Sequence, residues 1–178
     1  MTFTLHTSET ASPEGRAELE QSLKAFGFVP NLHAVLAEAP NVLKAYKELH
    51  TLFQGGSFNN EELTVVWQTI NVENECGYCV PAHTGIAHMM KVDGVLIDAL
   101  SKGTELPAAK LQTLKDTTLA LLRQRGHLQS SQLEAFTAAG YENQQLLEIL
   151  LGIAQKTISN YTNHLANTPV DAPFQKFV

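Results

Sequence analysis

The stretch Glu73–Met90, ENECGYCVPAHTGIAHMM, holds the only two cysteines of the chain. Cys76 and Cys79 form a C-x-x-C pair, and His83 follows four residues after Cys79. On an α-helix, at roughly 100° per residue, these three side chains fall within about 60° of one another. The pattern therefore places two thiols and an imidazole on one inward-facing stripe of an amphipathic helix, which favours a redox site.

The position of this helix is indicated by Pro81, because proline is tolerated in the first turn of a helix and breaks it further in. A helix that begins near Gly77 or Tyr78 satisfies that condition. The cysteines then lie at its N-terminal end, where free N–H groups and the helix dipole stabilise an anion. Such a location lowers the pKa of a C-x-x-C thiol and favours the reactive thiolate.

The motif C-x-x-C-x-x-x-H resembles that of the alkyl hydroperoxidase D-like members of the carboxymuconolactone decarboxylase family. Flanking segments are similar to the peroxidase-related members over roughly residues 20 to 175: Gly27–Tyr46, Arg123–Leu128, Ala138–Tyr141 and Asn160–Phe174. The resemblance implies an all-α, single-domain multi-helix bundle that assembles into a homo-oligomer, a trimer or a hexamer.

The resemblance also implies a function, namely a thiol-dependent antioxidant peroxidase or disulfide reductase. Cys79 would become the sulfenic acid, Cys76 would be the proton donor and resolving thiol, and His83 would relay protons. An external dithiol or protein reductant would then reduce the Cys76–Cys79 disulfide. No flavin, haem or nicotinamide motif is visible, so no bound cofactor is expected.

The acid of the proton relay departs from the family pattern, which has a glutamate twelve residues before the first cysteine. Thr64 occupies that position here, and a hydroxyl cannot shuttle a proton as a carboxylate does. The nearest carboxylates are Glu73 and Glu62. We favour Glu73 as the relay candidate, because it is the closer of the two to the thiols in sequence.

Other interpretations of the site remain open at this stage. The pair could be two buried small hydrophobes, since free cysteine is often buried. Zinc would need a fourth ligand, and His88 lies about 140° around the helix from His83, so we expect no metal.

A decarboxylase-type lyase of the same fold is an alternative function, although by resemblance such members lack the paired cysteines. A non-enzymatic redox sensor is another.

Length and composition fit one globular domain. The chain has 178 residues, 44% hydrophobic and 17% charged, and a net charge of −6 with no basic cluster, which argues against nucleic-acid binding. No apolar run approaches the roughly 20 residues of a membrane span, and the N-terminus does not resemble a secretory signal. We therefore expect a cytoplasmic protein without a membrane partner, and a cysteine pair that is catalytic rather than a structural staple.

Helix signals follow one another along the whole chain without the alternating strands that a thioredoxin-like fold needs. We expect a flexible segment over 1–12 and a helical domain over 13–178, with an extended tail after Pro169. The expected helices begin near residues 13, 32, 40, 60, 77, 92, 107, 132 and 143. His164 could approach the site. The remaining histidines outside the motif are interpreted as surface or capping residues: His6, His33, His50, His88 and His127.

Because the two thiols share one helix start, we predict that they form a reversible disulfide. Titration of free thiols before and after peroxide treatment should differ by both cysteines, and a dithiol should restore them. A thiol count that peroxide leaves unchanged would contradict this prediction. Metal analysis of the same sample is expected to find no stoichiometric zinc.

Overall fold

The computed structural model describes residues 2–178, which form nine α-helices and a C-terminal 3-10 helix. In chain order the elements are α1 (Pro13–Phe26), α2 (Asn31–Leu36), α3 (Pro40–Gln54), α4 (Asn60–Glu73), α5 (Cys79–Met89), α6 (Gly94–Ser101), α7 (Ala109–Arg123), α8 (Ser130–Ala138), α9 (Asn143–Ala166) and the 3-10 helix (Ala172–Phe177). The all-α prediction is confirmed. Met1 belongs to the segment that we expected to be flexible, and it lies outside the described residues.

Helix α4 is the centre of the bundle and packs against α5, α6, α7 and α9, while α3 lies along α9. Ten of the 14 residues of α4 are buried, including Trp67 and Ile70. Apolar side chains of α4, α6 and α7 form the larger of two hydrophobic clusters. The smaller cluster joins residues of α1, α2 and α3 to Cys76 and Cys79. The thiols therefore lie inside the bundle.

The helix starts follow the capping residues of the sequence. Ser12 accepts a hydrogen bond from the Gly15 N–H at the start of α1, and Pro13 is the first residue of that helix. Asn59 and Glu62 form a reciprocal capping box at the start of α4. The motif helix α5 begins at Cys79, slightly later than predicted.

This later start follows from the backbone between α4 and α5. Glu75 has a left-handed conformation, with φ of 53°, and turns the chain sharply. The Cys76 N–H donates to the Asn71 carbonyl, and the Cys76 carbonyl accepts from the Val80 N–H. Cys76 therefore caps the turn ahead of the helix while Cys79 is its first residue.

The C-terminal segment differs from the extended tail that we predicted. Residues 172–177 form a 3-10 helix that packs on α5. A Cβ atom at Gly85 would approach Phe174 Cδ1 to 2.5 Å, so the missing side chain of this glycine permits the contact. Asp171 anchors the segment, since its carboxylate accepts from the Asn31 N–H at 2.9 Å and from the Tyr78 hydroxyl at 2.5 Å.

The N-terminal segment ahead of α1 makes specific contacts with the helix pair α2–α3. The His6 N–H donates to the Ala34 carbonyl at 3.1 Å, and the His6 ring lies 2.6 Å from a Glu38 carboxylate oxygen. Ala11 is buried.

Over the described residues, no helix combines the length and apolar character needed to cross a bilayer.

Candidate active site

The two cysteines are free thiols at the junction of α4 and α5. Cys76 is 0% exposed and Cys79 is 2% exposed. The Cys79 N–H donates to Cys76 Sγ at 3.3 Å, so the first amide of α5 bonds to the sulfur of the preceding cysteine. The backbone therefore holds the two side chains in close proximity at the helix start.

A lysine from α9 completes this group. Lys156 is 0% exposed, and its Nζ is hydrogen-bonded to Nε2 of His83, which is 6% exposed. The same ammonium lies 5.8 Å from the centroid of the Trp67 ring. The structure therefore brings together a lysine and a histidine that are 73 residues apart in the chain.

Two asparagines of α9 stand beside the thiols. Asn163 Nδ2 lies 3.2 Å from Cys79 Sγ and 3.9 Å from Cys76 Sγ. Asn160 donates to Asn71 Oδ1 at 3.0 Å, and Asn71 donates in turn to Gln68 Oε1 at 3.0 Å. Amide side chains of α4 and α9 thus form a neutral polar network around the thiols, as a buried polar site requires.

The thiols differ in acidity. Burial by itself raises the pKa of Cys79, because a thiolate loses solvation. The hydrogen bond from Cys76 and the charge of Lys156 oppose this, and so do the amides of Asn160 and Asn163. Together they lower the pKa of Cys79 to about 6. The hydrogen bond to Cys79, together with burial, raises the pKa of Cys76, so Cys79 is the thiolate and Cys76 the thiol.

The two nitrogen bases of the site differ in charge at neutral pH, since His83 is neutral and Lys156 is still mostly protonated. Burial, and then the charge of Lys156, lower the pKa of His83 well below its usual value. Burial also lowers the pKa of Lys156 to about 8, although the neighbouring Cys79 and Cys76 act to raise it. At neutral pH the His83 imidazole is therefore uncharged. The Lys156 ammonium keeps its proton at that pH, but its pKa is low enough for it to act as a proton donor.

A row of three packed rings lies behind the site, with His50 stacked on Trp67 and His83 tilted against it. Trp67 lies 5.0 Å from His83 and 5.3 Å from His50, measured between ring centroids. Gln155 fixes the row, since its Oε1 accepts from Trp67 Nε1 at 2.7 Å and its Nε2 donates to His50 Nδ1 at 3.0 Å. These contacts orient the indole and the His50 imidazole with a neutral partner, whereas His83 is bonded to the Lys156 ammonium.

A cavity of about 570 Å³ opens onto the site. Cys79, His83 and Lys156 line it, whereas Cys76 does not. Most of the remaining wall is apolar or aromatic and comes from α1, α2, α3, α5 and the C-terminal segment: Phe26, Phe28, Leu32, Tyr46, Ile86, Met89 and Phe174. A ligand in the cavity would therefore contact Cys79 and not Cys76.

The carboxylates expected in the relay have other partners. Both carboxylate oxygens of Glu73 accept from Arg123 of α7 at 2.6 Å. The Glu62 carboxylate takes part in the capping box of α4 and lies 3.2 Å from Lys110 Nζ. Within residues 2–178, neither is hydrogen-bonded to His83 or to a thiol. Thr64, at the position of the family glutamate, donates to the Asn60 carbonyl.

Two of the histidines interpreted as surface residues pack inside the bundle, His33 fully buried and His50 half-buried. His33 is buried against Tyr46 and hydrogen-bonded to Ser22 at 2.8 Å, and burial lowers its pKa to about 3. His50 stacks on Trp67, and burial lowers its pKa to about 4. The interpretation was wrong because both lie on helices whose inner faces line the cavity. His164 is exposed and stacks on Tyr161.

Sequence reasoning missed Lys156, Asn160 and Asn163 as parts of the site. A signal for the asparagines did exist, because both lie in the segment Asn160–Phe174 that resembles the family. Lys156 had no such signal, since a lysine on a helix is usually solvated. Only the packing of α9 against α5 reveals its position.

Comparison with solved structures identifies the fold. The chain is similar to an alkylhydroperoxidase AhpD core, an uncharacterized peroxidase-related protein from Ralstonia eutropha, with a TM-score of 0.83 and 18% identity, over 97% of this chain and 93% of that one. A peroxidase-related protein from Silicibacter sp. gives a TM-score of 0.78 and 19% identity, over 96% and 93% of the two chains.

A third structure has a different described activity. The debrominase Bmp8, in complex with 2,3,4-tribromopyrrole, gives a TM-score of 0.75 and 16% identity, over 99% of this chain and 94% of that one. No protein-family model and no curated protein matches the sequence. The protein therefore has the alkyl hydroperoxidase D-like fold, as the sequence resemblance implied, and proteins of this fold include ones with different activities.

The low pKa of Cys79 predicts one thiolate near neutral pH. Absorbance at 240 nm should rise with a midpoint near pH 6, because the thiol loses its proton as the pH passes its pKa. The rise should persist in Cys76→Ala, although at a higher pH, since that variant lacks the hydrogen bond from Cys76. It should disappear between pH 4 and 8 in Cys79→Ala. A midpoint near pH 9 in the wild type would contradict the assignment.

Proposed function

We propose that the protein is a thiol-dependent peroxidase that uses Cys79, Cys76 and His83. The main support is the position of Cys79, a thiolate at neutral pH that lines the cavity beside a second thiol. Reactive cysteines are recognised by a depressed pKa together with access to substrate, and Cys79 has both. The proposal places neither Glu73 nor Glu62 in the proton relay, because their carboxylates bind Arg123 and Lys110.

In the first step, the Cys79 thiolate attacks the terminal oxygen of a hydroperoxide. The O–O bond breaks, Cys79 becomes a sulfenic acid, and the leaving alkoxide takes up a proton to become the alcohol. His83 lines the same cavity and is neutral, so it is suited to passing that proton. The Asn163 amide, 3.2 Å from Cys79 Sγ, helps to stabilise the thiolate that attacks.

In the second step, the Cys76 thiol condenses with the sulfenic acid, which releases water and forms the Cys76–Cys79 disulfide. An external dithiol or protein reductant then reduces the disulfide by thiol–disulfide exchange. The net reaction converts hydroperoxide and dithiol into alcohol, water and disulfide. Because it consumes reducing equivalents, we place the protein in a reducing compartment such as the cytoplasm.

The apolar wall of the cavity favours an organic hydroperoxide over hydrogen peroxide. Aromatic and aliphatic side chains such as Phe26, Ile86 and Phe174 surround the approach to Cys79. Burial of apolar substrate surface stabilises the complex by about 25 cal/mol per Å². We therefore expect a lower KM for a hydroperoxide with a bulky apolar body than for one without it.

Turnover of cumene hydroperoxide with a dithiol donor tests the proposal. Cys79→Ser should abolish turnover, and Cys76→Ser should accumulate a sulfenic acid that dimedone traps at Cys79. His83→Ala should lower the rate of thiol oxidation by about 10²–10⁴-fold, as loss of an acid–base group does. His127→Ala, a histidine outside the site, is the matched control. Turnover by Cys79→Ser at the wild-type rate would refute the proposal.

A second candidate is reductive dehalogenation of a flat aromatic compound. The aromatic lining of the cavity favours it, and a debrominase shares the fold. An aryl bromide and two thiols would yield the arene, bromide, a proton and the disulfide. Release of bromide from 2,3,4-tribromopyrrole, without turnover of hydroperoxides, would favour this candidate.

Two further alternatives are separated by the same assays. A decarboxylase-type lyase would act independently of Cys76 and Cys79, so its activity would survive their substitution. A redox sensor would form the disulfide once and would not turn over peroxide when supplied with a dithiol. Multiple turnovers that depend on both cysteines favour the peroxidase.

We also propose that the protein is a homo-oligomer, a trimer or a hexamer. An apolar stripe on the outer face of α9 supports this: Leu147 is 67% exposed, Leu150 44%, Tyr161 53% and Leu165 73%. Leu147 and Leu150 lie one turn apart, as do Tyr161 and Leu165, and both pairs share one face of α9. Exposed apolar side chains grouped on one helix face are typical of an interface with a second copy.

The oligomer is tested by light scattering at micromolar concentration, which should report a multiple of 19.5 kDa. Introducing a charge with Leu147→Glu and Leu165→Glu should shift the protein toward the monomer, because a carboxylate in an apolar interface loses solvation. Leu23→Glu, at an exposed leucine of α1, is the control. A wild-type mass of 19.5 kDa would contradict the oligomer.

A further inference from the structure

Lys156 is a fully buried ammonium without a carboxylate partner. It is 0% exposed, and within residues 2–178 no Asp or Glu oxygen lies within 4.0 Å of its Nζ. Its contacts are His83 Nε2 and the face of Trp67. An isolated charge in a protein interior is costly unless an anion compensates it, so the compensating anion has to come from the groups around it.

The titratable groups that face Lys156 can be named element by element. They are His83 and Cys79 of α5, Cys76 just before α5, and His50 of α3. Tyr46 of α3 lies beside the thiols. The neighbouring residue of α4 is Trp67, which is not titratable. Both histidines are neutral at pH 7, and burial raises the pKa of Tyr46. Only the thiols can supply a negative charge, and Cys79 is the more acidic.

We propose that Lys156 is the counter-ion of the Cys79 thiolate and the source of the proton that the leaving alkoxide receives, with His83 as the relay. Lys156 would thus be the acid of the proton relay, in place of the glutamate that the family has where this chain has Thr64. The proton-transfer part rests on the proposed peroxidase function, whereas the counter-ion part does not.

Charge conservation supports this assignment. Before reaction the site holds one thiolate and one ammonium, and its net charge is zero. After attack on the hydroperoxide it holds a sulfenic acid and a neutral amine, and the alcohol has left with the proton. The net charge is again zero. If Lys156 kept its proton instead, the oxidised site would contain an unpaired buried cation, which is the costly state.

The pKa of Lys156 agrees with this sequence. Burial lowers it to about 8, even though the thiols raise it. Loss of the Cys79 charge on oxidation removes that raising effect, so the oxidised protein releases the proton at neutral pH. Re-reduction of the disulfide restores the thiolate, and the amine regains a proton.

Two substitutions separate the two roles. Lys156→Met removes the charge while keeping a similar volume. It should raise the midpoint of the 240 nm thiolate titration enough to lower the thiolate fraction at pH 6 by at least 10-fold.

Lys156→Arg keeps a charge that cannot be given up in a protein. It should keep a midpoint within one pH unit of the wild type, yet react with cumene hydroperoxide about 10²–10⁴-fold more slowly at equal thiolate fraction.

The matched control is Lys115→Met. Lys115 is also buried, but its Nζ donates to the carbonyls of Gly103 and Thr104 outside the site. This variant should leave both the thiolate midpoint and the oxidation rate unchanged. A wild-type thiolate midpoint in folded Lys156→Met would overturn the counter-ion role, and an Lys156→Arg variant as fast as the wild type would overturn the proton-donor role.

A proton inventory on the unmodified protein provides a test that does not depend on the folding of variants. Reduced protein at pH 7 is mixed with cumene hydroperoxide in dilute pH indicator, without other buffer. If Lys156 supplies the proton, forming one disulfide takes up no net proton from solution. If Lys156 stays charged, one proton is taken up per disulfide, and that result would overturn the proposal. The thiolate titrations need no peroxide, so they test the counter-ion role even if the protein proves not to be a peroxidase.

Discussion

The contact between the Lys156 ammonium and the His83 imidazole is the constraint on which the site depends. It places a positive charge beside two thiols in an interior that offers no carboxylate within ion-pair reach among the described residues. That charge favours a thiolate at Cys79 and disfavours a proton on His83. The acidity of Cys79 therefore depends on the hydrogen bond from Cys76 and, after it, on a cation from α9.

The rest of the bundle holds this charged group in place with neutral partners. Asn163 contacts the thiols from the same helix as Lys156, and Asn160 of that helix donates to Asn71 of α4, which donates to Gln68. Amide side chains satisfy buried donors and acceptors without adding charge, so they do not compete with the thiolate for Lys156. The long helix α9 thus contributes both the charge and half of the polar network.

The cavity depends on a different set of elements. Its wall comes from α1, α2, α3 and α5, and the C-terminal segment closes one side of it through Phe174 and Asp171. The close approach of Phe174 is possible because residue 85 of the motif helix is glycine. The wall of the cavity beside Cys79 therefore depends in part on the docking of residues 172–177 on α5.

The sequence by itself determined the local features of this protein. Proline, serine and asparagine signals located the helices, the motif located the thiols at a helix start, and the family resemblance gave the fold. These features are readable because capping and helical periodicity depend on residues within a few positions of each other. The exceptions were the start of α5, shifted by the turn at Glu75, and the tail, which folds back on α5.

The tertiary structure alone decided which side chains complete the site. Lys156 lies on a helix whose sequence gives no sign of burying a charge, and its partner His83 is 73 residues away. Glu73 and Glu62 are closer to the motif in sequence, yet Arg123 and Lys110 bind them on other faces of the bundle. Periodicity defines the faces of each helix, but the packing of one helix against another determines which faces meet, and no local rule encodes that choice.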